Sequence, residues 1–174
     1  MRFSQMIIGM MLLLSFSVSQ ADEARHFIGV YEDNYSDSEM SGNSFQYGYD
    51  FSNTFSLEFN YSDPDVTGTT ASAISVDALG SLMMRYNIRY ESINTYFMVG
   101  VGYVDYSVIS PASDELETGV AYGFGIELYG SKNTAVSFTW STSEFEENGS
   151  VAELDTTRIG LIHHFDFAKR SSRY

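Results

Sequence analysis

The stretch Ser44–Ser62 reads SFQYGYDFSNTFSLEFNYS and alternates with a period of two. Phe45, Tyr47, Tyr49 and Phe51 interleave with Ser44, Gln46, Gly48 and Asp50. Past Ser52-Asn53-Thr54, Phe55, Leu57, Phe59 and Tyr61 interleave with Ser56, Glu58, Asn60 and Ser62. Successive side chains of a strand point to opposite faces, so one face of both runs is aromatic or Leu throughout. The opposite face carries no large apolar group, and the polar triplet between the runs predicts a hairpin.

The same period continues downstream. Ile74, Val76, Ala78, Leu82, Met84 and Tyr86 alternate with Ser75, Asp77, Ser81 and Arg85, with Leu79 and Met83 on the polar side. Phe97, Val99, Val101 and Tyr103 form one face of a fifth run, Val120, Tyr122, Phe124, Ile126 and Leu128 of a sixth, and Val136, Phe138 and Trp140 of a seventh. In the last run, Ile159, Leu161, His163, Phe165 and Phe167 alternate with Arg158, Gly160, Ile162, His164 and Asp166. A less regular strand around Phe27–Asp33 brings the number to eight. There Ile28 and Val30 compete with Phe27 and Tyr31 for the outward face, which leaves that face open.

Two architectures bury such a face. In a soluble sandwich or a lipocalin-like periplasmic ligand binder the rings point inward. In a membrane barrel they meet lipid, and small and charged residues fill the lumen. The polar faces here are mostly Gly, Ser and Thr, as a narrow eight-stranded interior requires. The apolar faces of the second, third, sixth and seventh strands carry no charge, and Tyr and Phe recur at strand ends, where aromatic girdles belong. The predicted fold is therefore all-β, a closed eight-stranded antiparallel up-and-down transmembrane β-barrel. Its lipid-facing aromatics are Phe45, Tyr47, Tyr49, Phe51, Phe55, Phe59, Tyr61, Phe97, Phe124 and Trp140. Tight turns at Ser52–Thr54, Glu91–Asn94 and Gly130–Asn133 contrast with longer connections at Asn34–Asn43, Asp63–Thr70, Ser107–Leu116 and Ser143–Asp155. That asymmetry predicts periplasmic termini and extracellular loops.

Composition agrees. The 174 residues include 9 Lys+Arg against 23 Asp+Glu, a net charge of −14, which excludes a nucleic-acid binder. Zero cysteine removes disulfides, thiolate metal sites and thiol nucleophiles. Arg2, the apolar run Met6–Leu14 and the small residues Ser19 and Ala21 predict a cleaved secretory signal peptide over 1–21, too short in its apolar core to span a bilayer. The barrel is expected over 22–167 and a short basic tail, AKRSSRY, over 168–174.

Arg85-Tyr86-Asn87-Ile88, the run Tyr96–Tyr103 with its Gly-x-Gly-Tyr end, Tyr122-Gly123-Phe124-Gly125-Ile126-Glu127 and the closing His164-Phe165-Asp166-Phe167 give the chain its family likeness. It resembles the outer-membrane protein β-barrel domain family, the OmpA-like and opacity-type eight-stranded barrels, over nearly the whole mature chain. The resemblance implies a Gram-negative outer membrane, contact with membrane lipid and lipopolysaccharide, and no cofactor. Family members often end at the last aromatic, whereas here residues 168–174 run on.

Barrels of this size that are enzymes need a Ser or Thr activated by His at the outer-leaflet rim. The three histidines, His26, His163 and His164, all fall at the opposite end, so no catalytic residue is assigned. Closure brings His26 towards His163 or His164, and with Asp166 they suggest a metal site; the preferred reading is interfacial side chains and no metal. Glu58, Asp77, Arg85, Glu127 and Arg158 fall on the lumen face. A charge in a narrow lumen needs a partner, so a plugging network is expected, Arg85 with Glu127 and Arg158 with Glu58 or Asp77. Acidic loops, with Asp37, Glu39, Asp63, Asp65, Asp114, Glu115, Glu117, Glu144, Glu146, Glu147, Glu153 and Asp155, suggest divalent cations or basic surface partners. The expected protein is a monomeric, non-enzymatic barrel with a structural or surface-interaction role; a narrow porin-like channel is the alternative.

Overall fold

The computed structural model describes residues 25–36, 40–66, 74–109, 112–147 and 150–165. The predicted leader, the basic tail, Asp166 and Phe167 lie outside the described residues. So do the side chains of the loop acids Asp37, Glu39, Asp65, Asp114, Glu115, Glu146 and Glu147.

Eight strands form: β1 (Arg25–Tyr35), β2 (Met40–Asp50), β3 (Phe55–Val66), β4 (Ile74–Tyr90), β5 (Ile93–Ile109), β6 (Ala112–Tyr129), β7 (Thr134–Glu147) and β8 (Ser150–Phe165). Each pairs antiparallel with its sequence neighbours, and β1 pairs with β8 to close the barrel. One circuit of paired residues runs Arg25, Asp50, Ser56, Arg85, Met98, Gly123, Ser141, Thr156 and returns to β1 at Tyr35. The ladder therefore climbs ten residues, from 25 to 35, in one turn. With ordinary strand rise and spacing, that stagger gives a strand tilt of about 40° and a backbone radius of about 8 Å. Such an interior has room for side chains and little else.

The alternation resolves as two faces. Phe45, Tyr47, Phe55, Phe59, Tyr61, Phe97 and Phe124 are exposed on the outside, with Ile28, Val30, Leu82, Val99, Val120, Phe138 and Leu161. Tyr49 and Trp140 are half-buried. Phe51 departs from the expected face: β2 stops at Asp50, and the ring folds into the turn, 9% exposed and stacked on Phe55 at 6.3 Å. Inside lie Ser44, Gln46, Ser56, Glu58, Asn60, Ser62, Arg85, Asn87, Asn94 and Glu127. Leu79 and Met83, the two apolar residues on the polar side of β4, are buried there as well.

Inward aromatics are placed by glycines directly across the ladder. Phe27 pairs with Gly48, Tyr31 with Gly160 and Tyr96 with Gly125. At each of these glycines a Cβ would collide with the facing ring. This settles β1, whose Phe27 and Tyr31 point in while Ile28 and Val30 point out.

The two ends differ less than the loop lengths predict. At one end the chain turns through residues 51–54, 91–92 and 130–133; at the other, only residues 110–111 separate β5 from β6, and 148–149 separate β7 from β8. The stretches expected as loops at Ser107–Leu116 and Ser143–Asp155 are mostly strand, because their polar residues still alternate with Val108, Leu116, Phe145 and Leu154 and continue the ladder. β4 to β6, at 17, 17 and 18 residues, exceed the about 9–11 residues that cross a bilayer. Among the described residues, β4 before Leu79 and β6 before Val120 pair only with β5.

Candidate functional site

The lumen holds the protein's concentration of buried charge. Arg85 projects from β4 at 1% exposure. One guanidinium nitrogen donates to Glu58 Oε2 at 3.2 Å, and the other makes a close ion pair with Glu127 Oε1. Its Cζ lies over the Tyr96 ring, 3.5 Å from the centroid, and 5.3 Å from the centroid of Phe27. A planar fork serves two carboxylates and stacks on a ring at once, which an ammonium does not do.

Each carboxylate is then saturated by neutral donors. Glu58 accepts from Gln46 Nε2 at 2.9 Å and Asn60 Nδ2 at 3.0 Å, and Gln46 in turn accepts from the Tyr31 hydroxyl at 2.6 Å. Glu127 Oε2 accepts from Asn94 Nδ2 at 3.0 Å and the Tyr129 hydroxyl at 2.8 Å. Below it, His164 lies with Nε2 2.9 Å from the Tyr129 hydroxyl and Nδ1 3.4 Å from Asp50, and Asp50 also receives Arg89 at 2.8 Å. Asn87 and Ser56 tie this layer to Asn94 and Asp50. Polar groups this deep are stable only when nearly all are paired, and here most are.

At the opposite end the lumen opens into a cavity of about 50 Å³ lined by Asp33, Tyr35, Ser44, Asn60, Ser62 and Arg158, among others. Asp33, 1% exposed, accepts from Ser44 at 2.7 Å and from the Tyr35 hydroxyl at 3.2 Å. Arg158, 5% exposed, lies with its guanidinium 5.6 Å from the centroid of the Tyr31 ring.

Of the five predicted lumen charges, the fold brings Glu58, Arg85 and Glu127 together and leaves Arg158 apart on the same face. The expected pairing of Arg158 with Glu58 or Asp77 is not formed. Glu58 is already filled by Arg85, Gln46 and Asn60, and Asp77 is exposed. The cause at Asp77 is a register shift between Val76 and Ala78, where one extra residue reverses which face the following positions take.

The histidines separate as well. His26 bonds the Tyr47 hydroxyl at 2.7 Å and His163 bonds Thr134 at 2.8 Å, both at exposed positions, whereas His164 points into the lumen. His26 and His163 thus lie on the outward face and His164 on the inward one, while Asp166 lies outside the described residues. Among the described residues no group of three metal-ligating side chains converges.

Sequence reading passed over Asp50, His164, Asn87, Asn94, Tyr96 and Tyr129 as members of the network. The period-2 phase that placed Arg85 and Glu127 also places all six on the polar face, Tyr96 in step with Asn94, and Gly125 at its cross-strand partner leaves room for the ring.

A family model described as "Outer membrane protein beta-barrel domain" matches residues 8–165. No curated protein sequence matches the chain. Among solved structures, it is similar to the N-terminal β-barrel domain of OprF from Pseudomonas aeruginosa, with a TM-score of 0.65 at 16% identity over 81% of this chain and 97% of that one. It is also similar to Ail, the attachment invasion locus protein of Yersinia pestis, with a TM-score of 0.57 at 18% identity over 82% and 97% of the two chains. Neisserial surface protein A gives 0.57 at 11% identity over 83% and 96%. At these identities the shared property is the fold.

Proposed function

The chain belongs to the outer membrane protein β-barrel domain family, and from that premise we propose that it is a non-enzymatic barrel whose lumen is closed and whose work is done at its outer rim. The observation that carries this reading is the Arg85 node. A guanidinium clamped between Glu58 and Glu127 and seated on Tyr96 occupies the centre of a tube of about 8 Å radius. The ends are oriented as in the family: the turns at 51–54, 91–92 and 130–133 are periplasmic, and the end bearing Asp33 and Arg158 is extracellular.

The extracellular end supports a surface role through its charge. Asp63, Asp77 and Glu153 are exposed there, with Asp105, Glu117, Glu144 and Asp155 partly so. A structure of Ail holds the heparin analogue sucrose octasulfate. An acidic rim repels such a polyanion, so the partners that suit this chain are divalent cations or basic surfaces, including cation-bridged lipopolysaccharide. The exposed outward aromatics, Phe45, Tyr47, Phe55, Phe59, Tyr61, Phe97 and Phe124, meet lipid in this reading.

Planar-bilayer recording of the refolded protein tests it. The expected trace shows no steady ohmic conductance, while Arg85→Ala introduces one by removing the central side chain. A steady conductance in the unaltered protein would establish the narrow-pore alternative instead.

A further inference from the structure

We propose that the outer vestibule of the lumen, around Arg158, is a binding site for a small hydroxy-carboxylate anion. Arg158 is 95% buried, yet among the described residues no carboxylate stands within ion-pair distance of it; its Nε, like that of Arg85, has no hydrogen-bond partner. The Arg85 node below shows what this lumen does with a guanidinium that is structural: two carboxylates and a stacked ring. Arg158 has the ring, Tyr31, and lacks the anions.

The nearest internal candidate is engaged elsewhere. Asp33 sits directly across the β1–β8 ladder from Arg158, but its two oxygens accept from Ser44 and Tyr35 on the side away from β8. A buried guanidinium that no carboxylate contacts is costly even with Asp33 nearby, which favours an anion from outside. A planar guanidinium matches a carboxylate by two parallel hydrogen bonds, which a halide cannot accept.

A second orphan narrows the class. Asn60 lines the same cavity, 4% exposed; its amide nitrogen is directed at Glu58 and Ser81, which leaves Oδ1 as an acceptor with no donor. A ligand that complements both orphans carries a carboxylate for Arg158 and a hydroxyl to donate to Asn60. Hydroxyls of Ser62 and Tyr35, themselves paired at 2.6 Å, complete a polar wall. The cavity is small, about 50 Å³, which suits a ligand of about glycolate's size.

The site rests on the reading above only for the compartment that supplies the ligand; binding itself is tested independently of it. The full chain, refolded in detergent micelles, is titrated with sodium glycolate, sodium acetate and sodium chloride at matched ionic strength while the Arg158 Nε–H resonance is followed. Glycolate is expected to give a saturable shift, with acetate weaker by about tenfold for the missing hydroxyl bond and chloride without saturation. Arg158→Gln is expected to abolish saturation while the heat-modifiable gel shift of the folded barrel persists. Asp33→Asn, which removes the nearby negative charge, is expected to tighten glycolate by about threefold or more. The Asn variant decides the matter should the Gln variant fail to fold. A linear response to glycolate, an equal response to chloride, saturation surviving in Arg158→Gln, or unchanged affinity in Asp33→Asn would each overturn the proposal.

Discussion

Glu58 and Glu127 enter the lumen from β3 and β6, and the guanidinium that meets both comes from β4, one strand from the first and two from the second. Removing it by Arg85→Ala strands two carboxylates at about 1% exposure or less. Breaking a buried pair in this way costs about 3–5 kcal/mol, which urea unfolding in lipid vesicles will register as a lower midpoint. Arg85→Lys is expected to recover only a minor part, since an ammonium does not span both acids or stack on Tyr96. At this scale the sequence was informative wherever alternation was strict. The lumen-side placement of Arg85 and Glu127 follows from phase alone, whereas the Asp50–His164 contact joins β2 to β8 and depends on how far the sheet is staggered at closure, which no local pattern records.

Among the elements, the β4–β5 hairpin bears a local strain. Tyr90 pairs with Ile93, so Glu91 and Ser92 are the two central residues, and Glu91 has a φ of +48°. A positive φ at the first central position suits glycine and is unfavourable for a side chain with a Cβ. Glu91→Gly is therefore expected to stabilise the barrel by about 0.5–1 kcal/mol, read as a higher urea midpoint with an unchanged slope. The strands themselves were legible from period two, but their ends were not. Alternation of Val108, Leu116 and Phe145 with hydroxyl and acidic residues is weaker than that of the aromatic runs, and it still extends the ladders. The shift at Val76/Ala78 was likewise invisible: one inserted residue leaves composition untouched and reverses the face of Asp77.

For the whole molecule, the decisive quantity is the medium against the outer face. Phe124 is 54% exposed near the middle of the outward band of β6, beside Trp140 at 5.6 Å. Against hydrocarbon, Phe124→Arg is expected to cost about 2–4 kcal/mol, while Asp63→Lys at the rim changes stability by less than about 1 kcal/mol. Equal small effects at both positions, measured by unfolding in vesicles, would indicate that the aromatic face does not meet lipid.

The amino-acid sequence alone determined that there are eight strands, which face of most of them is apolar, and that charge is concentrated on the other face. Those properties are written in a period of two and in composition, both of which are local. The tertiary structure decided the outward face of β1, the saturation of Glu58 by Arg85 rather than Arg158, and the expulsion of Asp77. Each depends on a ten-residue stagger accumulated over eight pairings and on glycines lying opposite Phe27, Tyr31 and Tyr96. Contacts across a closed ring are set by the sum of all its registers, so no single strand contains the information that places them.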